Sequence, residues 1–304
     1  MAYSIYLAVR LARDAANWSD DFRRGHIDYL LGEQQPNGGF AGRQGTTDLY
    51  YTSFGLRSLA LLGAIDEPVV NRAIQFLQSQ LDETPSSVDL YSLIFSAVIL
   101  ELISGSVLLD DMQKVRLSTA VDTYRCNDGG FANSPGQSIS STYHTFLAVL
   151  AKQALGFEPN AVKPLVECVR SRRREDGGYA EIPQSQTSGT NPTAAAVVVL
   201  NELGQLDETG RDEAIRFFTA MQNEEGGFRA NGRIPLADGL STFTTLAALA
   251  AIDAISEVDL PAAANFARSL ERPEGGFRGG AWDSEADVEY TFYGLGTLAL
   301  TDGY

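Results

Sequence analysis

Histidine and cysteine, the residues that most metal and redox chemistry relies on, are nearly missing: 304 residues contain two of each. Cys126 and Cys168 have no metal-type spacing and cannot form a disulfide framework, so a cysteine-rich zinc module and a stapled secreted scaffold are both excluded. This usage points to a reducing, cytoplasmic setting. Positive charge is also scarce. With 23 Lys and Arg against 39 Asp and Glu, a net charge of −16 and a pI near 4.5, the surface repels nucleic acid and anionic membrane. Any anion site must be local. No long apolar run opens the chain, because Arg10, Arg13 and Asp14 interrupt it, and no basic leader precedes it. Ile5, Ala8, Leu11, Ala12 and Ala15 recur at helical spacing instead, which predicts an extra amphipathic helix over 1–18.

Glycine, by contrast, recurs in pairs followed by an aromatic residue. Gly38-Gly39-Phe40, Gly129-Gly130-Phe131, Gly177-Gly178-Tyr179, Gly226-Gly227-Phe228 and Gly275-Gly276-Phe277 each lead through a polar loop to a helix start. Those starts are Asp48-Leu49-Tyr50-Tyr51-Thr52, Ser141-Thr142-Tyr143-His144-Thr145, Asn191-Pro192-Thr193, Asp238-Gly239-Leu240-Ser241-Thr242 and Asp287-Val288-Glu289-Tyr290-Thr291. The second glycines of the last four pairs are spaced by 48, 49 and 49 residues, and the first step of 91 is nearly two periods. A copy without glycines fills that double step, with Leu81-Asp82-Glu83 at the turn and Asp89-Leu90-Tyr91-Ser92 at the helix start. Six repeats result. A fixed period of this size marks a unit that buries its apolar face only against its neighbours, so 19–304 is expected to be one domain.

Each repeat carries two helices. Segments 20–34, 67–80, 110–125, 160–173, 211–222 and 259–270 mix charges with apolar residues three and four apart, the pattern of a helix with one wet face. Segments 50–62, 90–103, 142–155, 192–203, 241–255 and 288–300 are apolar all round, so they must be buried on all sides. Six outer and six inner helices predict an all-α, closed (α/α)6 toroid.

Asp48, Asp89, Asp238 and Asp287 stand where N-caps belong, and Asn191-Pro192 reads as a cap followed by proline. Parallel inner helices would gather their N-termini at one mouth, where backbone N–H groups favour an anion such as a phosphate. Aromatics of the first turns, Tyr50, Tyr51, Phe54, Tyr91, Phe95, Tyr143, Phe146, Phe243, Phe292 and Tyr293, are candidates to line the lumen, half of them being expected in ordinary core. An apolar well with such a rim suits an isoprenoid diphosphate. His144 is either a phosphate donor or proton carrier at the mouth or a structural residue.

The repeated turn, loop and helix start resemble the β subunits of protein prenyltransferases, most of all those of Rab geranylgeranyltransferase, over about residues 20–302. The resemblance implies a transferase that holds an isoprenyl diphosphate in its lumen, binds zinc and works with an α-type subunit on a protein substrate. Carried over by position, the zinc ligands fall on Asp238, Leu240 and Tyr290, so only the aspartate survives and no metal ligand set is assigned, while magnesium stays open. The diphosphate clamp falls on Arg229 and Arg233. The last repeat is also similar to the acid motif of class II terpene cyclases, which makes Asp287 and Glu289 candidate acids, with Tyr290 beside them. A toroid that binds a prenyl group or a protein without chemistry is the third reading.

Overall fold

The aromatic residue after each glycine pair pins its repeat together. Its backbone N–H donates to a threonine one turn into the following helix: Phe40 to Thr52 at 3.0 Å, Phe131 to Thr145 at 3.0 Å, Tyr179 to Thr193 at 2.8 Å, Phe228 to Thr242 at 3.0 Å and Phe277 to Thr291 at 3.1 Å. Each threonine hydroxyl donates back to the carbonyl four residues earlier, as Thr242 does to Asp238 at 2.7 Å. The five rings are buried in the core. Burying one such ring contributes about 2–3 kcal/mol, so the turn is held by packing as well as by hydrogen bonds.

The computed structural model describes residues 2–81 and 86–303, so Asp82 and Glu83 of the glycine-free second turn lie outside the described residues. Six helices form an inner ring: α3 (Leu49–Leu61), α5 (Ser87–Ser104), α7 (Thr142–Ala154), α9 (Thr190–Glu202), α11 (Gly239–Ala251) and α13 (Val288–Asp302). Each packs on the next and α13 returns to α3. Around them run α2 (Asp20–Glu33), α4 (Glu67–Gln80), α6 (Asp111–Asp122), α8 (Val162–Arg170), α10 (Glu208–Met221) and α12 (Leu260–Leu270). This is the expected closed toroid of inner and outer helices. Short antiparallel strand pairs, Phe40–Ala41 with Thr47–Asp48, Phe228–Arg229 with Ala237–Asp238, and Phe277–Arg278 with Ala286–Asp287, hold three of the loops.

Closure uses the same device as each internal step. The first glycine of a pair has positive φ and lies flat against the next outer helix, so at Gly226 (φ +89°) a Cβ would stand 2.3 Å from the Ala262 carbonyl oxygen in α12. At Gly275 (φ +93°) it would stand 2.2 Å from the Gly25 carbonyl oxygen in α2, so the last turn rests on the first outer helix.

The N-terminal helix α1 (Tyr3–Asp14) packs on α3, α7 and α13. The Tyr3 hydroxyl donates to the Ala247 carbonyl at 3.2 Å, and the Trp18 indole N–H donates to Asp302 at 2.7 Å, at the C-terminal end of α13. Therefore α1 lies across the C-terminal ends of the inner helices and floors the ring. Helix α5 has the length and apolarity of a membrane span, with a mean hydropathy of 1.7, yet it is seated in the ring between α3 and α7.

Two helix starts differ from the sequence reading. The cap of α5 is Ser86, with Asp89 completing a capping box at the third position, so this helix begins a turn before Asp89. The cap of α9 is Gly189, which places Asn191 and Pro192 inside the first turn. Asn191 Oδ1 accepts from the Thr244 hydroxyl at 2.7 Å, linking α9 to α11.

Candidate functional site

The polar centre of the ring is the carboxyl group of Glu289. Its Oε1 accepts the Tyr50 hydroxyl at 2.6 Å and the Tyr293 hydroxyl at 3.1 Å, so the first and last inner helices meet on one oxygen atom. Helix geometry makes this possible: Glu289 and Tyr293 are four apart on one face of α13, and Tyr50 holds the matching second position of α3. Burial raises the Glu289 pKa most, with the Asp287 charge adding to it, while the two phenol hydrogen bonds and Arg57 oppose the rise. The result is a carboxylic acid that holds its proton to higher pH than a surface glutamate does.

Below it the well is aromatic. Phe54, Phe243, Phe292 and Tyr293 pack ring on ring: Phe54 to Tyr293 at 5.4 Å, Phe243 to Phe292 at 5.2 Å, and Phe243 stacked on Tyr293 at 5.5 Å. A cation is set among these rings. The Arg57 guanidinium lies 4.3 Å from the Phe54 ring centroid and 4.8 Å from that of Phe292. Toward the N-terminal mouth the inner helices leave Tyr50, Phe95, Phe146, Leu147, Leu240 and Thr244 half-buried and Tyr143 37% exposed. Burial and the Glu289 charge push the Tyr143 hydroxyl up to about 12.

The structure thus brings Phe54, Phe243, Tyr143 and Glu289 together and sends other candidates elsewhere. Tyr91 is fully buried, packed 6.4 Å from Tyr124 just beyond the outer helix α6. Arg229 is not a mouth clamp: its guanidinium donates to the Ala220 carbonyl at 2.6 Å and serves the C-terminus of α10. Arg278 does the same for Ser269 at 3.0 Å one repeat later, so the arginine after the aromatic belongs to the fold. Arg233 is exposed on its loop. Tyr51 lies against Gly42, and Tyr290 lies against Gly279 with Arg43 5.7 Å from its ring. Both sit at the rim. His144 Nδ1 is 2.7 Å from the Ser141 hydroxyl of its own cap, and burial lowers its pKa.

Asp287 is held by Arg43 Nε at 2.8 Å and caps α13 through Tyr290 N–H, and burial raises its pKa. Asp238 caps α11, accepting from Ser241 N–H at 2.6 Å and the Ser241 hydroxyl at 2.9 Å. Asp48, Asp238 and Asp287 therefore place carboxylates on the helix N-termini that had been expected to attract a phosphate. A zinc ion does not fit the family position. Leu240 has no donor atom, Tyr290 is a phenol, Asp238 is committed to Ser241, and among the described residues no cluster of three His, Cys, Asp or Glu is placed to hold a metal.

Arg57 escaped the sequence reading, although one charge interrupting the apolar run 50–62 was a usable signal. The equivalent intrusion in α7, Lys152, faces outward and is paired with Asp122 at 2.7 Å.

The toroid has wide company. Candida albicans protein geranylgeranyltransferase-I complexed with GGPP superposes with a TM-score of 0.72 at 16% identity, covering 91% of this chain and 90% of that one. The type II terpene cyclase MstE from Scytonema gives 0.65 at 13% identity, with 97% of each chain covered. A protein from Actinoplanes gives 0.62 at 14% identity, covering 93% of this chain and 98% of that one. No curated protein matches the chain by sequence. The prenyltransferase alpha-alpha toroid domain matches residues 6–75 and 69–304, and the chain belongs to that family.

Proposed function

We propose that the toroid takes an isoprenoid chain into its aromatic bowl and protonates it through Glu289, as an acid-initiated cyclase or isomerase does. The supporting observation is a carboxyl group with raised pKa, held by the hydroxyls of Tyr50 and Tyr293 above a well of aromatic rings. The O–H bond of protonated Glu289 breaks and a C–H bond forms at an alkene carbon. The carboxylate left behind keeps both phenols as donors, which stabilises it as charge develops. Ring faces suit the hydrocarbon chain, and the sequence ends when another carbon gives its proton to water, its C–H pair closing the alkene, while Glu289 regains a proton from solvent.

The transferase suggested by resemblance needs a metal ligand set and a diphosphate clamp. Leu240, Tyr290 and the engaged Arg229 supply neither. Both readings share the isoprenoid well. A structural neighbour, MstE, has been captured with geranylgeranyl dihydroxybenzoate as its substrate, which makes prenylated acids reasonable first candidates alongside prenyl diphosphates.

The test is product analysis by mass spectrometry after incubation with geranylgeranyl diphosphate, geranylgeranyl dihydroxybenzoate and geranylgeraniol. The proposal expects a rearranged hydrocarbon skeleton from at least one of them, and its loss in Glu289→Gln with binding retained. Unchanged product in that variant removes Glu289 as the acid, and prenylation of an added peptide thiol would restore the transferase.

A further inference from the structure

The cation in the well has no carboxylate in direct contact with it, although the Glu289 charge reaches it. Arg57 Nε donates to the Ser53 carbonyl at 3.2 Å in its own helix, and among the described residues it takes part in no ion pair. Glu289, whose charge acts on it, makes its hydrogen bonds through Oε1 to Tyr50 and Tyr293 and none to Arg57. Among the described residues neither Nη group has a hydrogen-bond acceptor, and the residue is only half-buried. Ring faces offset part of the cost of removing a guanidinium from water, but they give it no counter-charge. An uncompensated cation beside the rings would also oppose a developing carbocation.

We infer that Arg57 is the receptor for an anionic group, a carboxylate or a phosphate, carried by the ligand that enters the well. The inference rests on the isoprenoid reading above and adds what the ligand must bear. A planar fork with two free Nη groups matches either oxyanion bidentately. With that pair formed the well is close to neutral, and protonation nearby no longer builds a second positive charge against the first. Negative charge is then read inside the well, at Arg57, and not at the mouth, where Asp48, Asp238 and Asp287 stand on the helix N-termini.

Three probes that share one chain separate the possibilities: geranylgeranyl diphosphate, geranylgeranoic acid and geranylgeraniol. Their affinities are measured by calorimetry on the wild type, Arg57→Met and Arg57→Lys, with melting curves to confirm folding. The wild type should bind at least one acid ten-fold or more tighter than the alcohol. Arg57→Met should bring that acid down to the alcohol, leaving the alcohol unchanged, and Arg57→Lys should keep part of the preference. The acid that responds identifies the head group. Equal wild-type affinity for all three probes overturns the inference even if Arg57→Met does not fold, and so does an equal loss for acid and alcohol. Failure of the alcohol and both acids to bind would remove the isoprenoid reading as well, a result distinct from loss of preference alone.

Discussion

Gly276 N–H donates to Nδ1 of His26 at 3.1 Å, joining the last glycine turn to the first outer helix. The imidazole is buried, stacked on Phe277 at 5.0 Å and edge-on to Phe22 at 4.6 Å. Because Nδ1 accepts, the ring is neutral and its Nε2–H points toward Glu271, 3.5 Å away. Burial lowers its pKa from 6.5 to about 4. The unfolded chain therefore binds the extra proton first, and the seam stabilises the fold above pH 6.5 and is lost as pH falls toward 4.

Stability measured by urea unfolding should drop between pH 6.5 and 4 by up to roughly 3 kcal/mol from this residue. His26→Leu should cost about 1–3 kcal/mol at neutral pH, since a buried N–H loses its acceptor, and should flatten that slope. An unchanged slope in the variant would show that another group closes the ring.

Two glycines with similar backbone angles should respond differently to alanine. Gly45 (φ +73°) has nothing within 4 Å of an added Cβ, whereas at Gly226 (φ +89°) the Cβ would meet the Ala262 carbonyl oxygen at 2.3 Å. Gly45→Ala should lose about 1 kcal/mol to backbone strain. Gly226→Ala should lose several times that, because α12 must move, and equal losses would mean that the turns do not set the spacing of the repeats.

The architecture was legible because five of the six periods repeat the same lock: glycine against the next helix, a buried ring and a threonine. The site was less so. Helices that are apolar all round carry no periodic mark of which side faces the lumen, so Tyr50 and Tyr91 looked alike in sequence. Tyr91 is buried against Tyr124, while Tyr50 reaches Glu289. Arg229 looked like a clamp because sequence does not show that the carbonyls ending α10 lie beside it.

Glu289 makes the opposite pH contribution to His26. Its folded pKa is raised above 4.5, so the native state holds a proton that the unfolded state has lost, and stability falls as pH rises through that interval. Glu289→Gln should remove this slope and leave the protein as stable as the wild type or more so at pH 7, measured by urea unfolding. Marked destabilisation of the variant at pH 7, with the wild-type slope retained, would mean that the carboxylate is the form the fold needs.

The central claim is that Glu289 delivers a proton to carbon, and solvent isotope reports on that step. Run in D2O, the reaction should place one deuterium on the carbon that Glu289 protonates, and Glu289→Gln should give no labelled product. A wild-type product with no solvent deuterium on carbon would contradict the account.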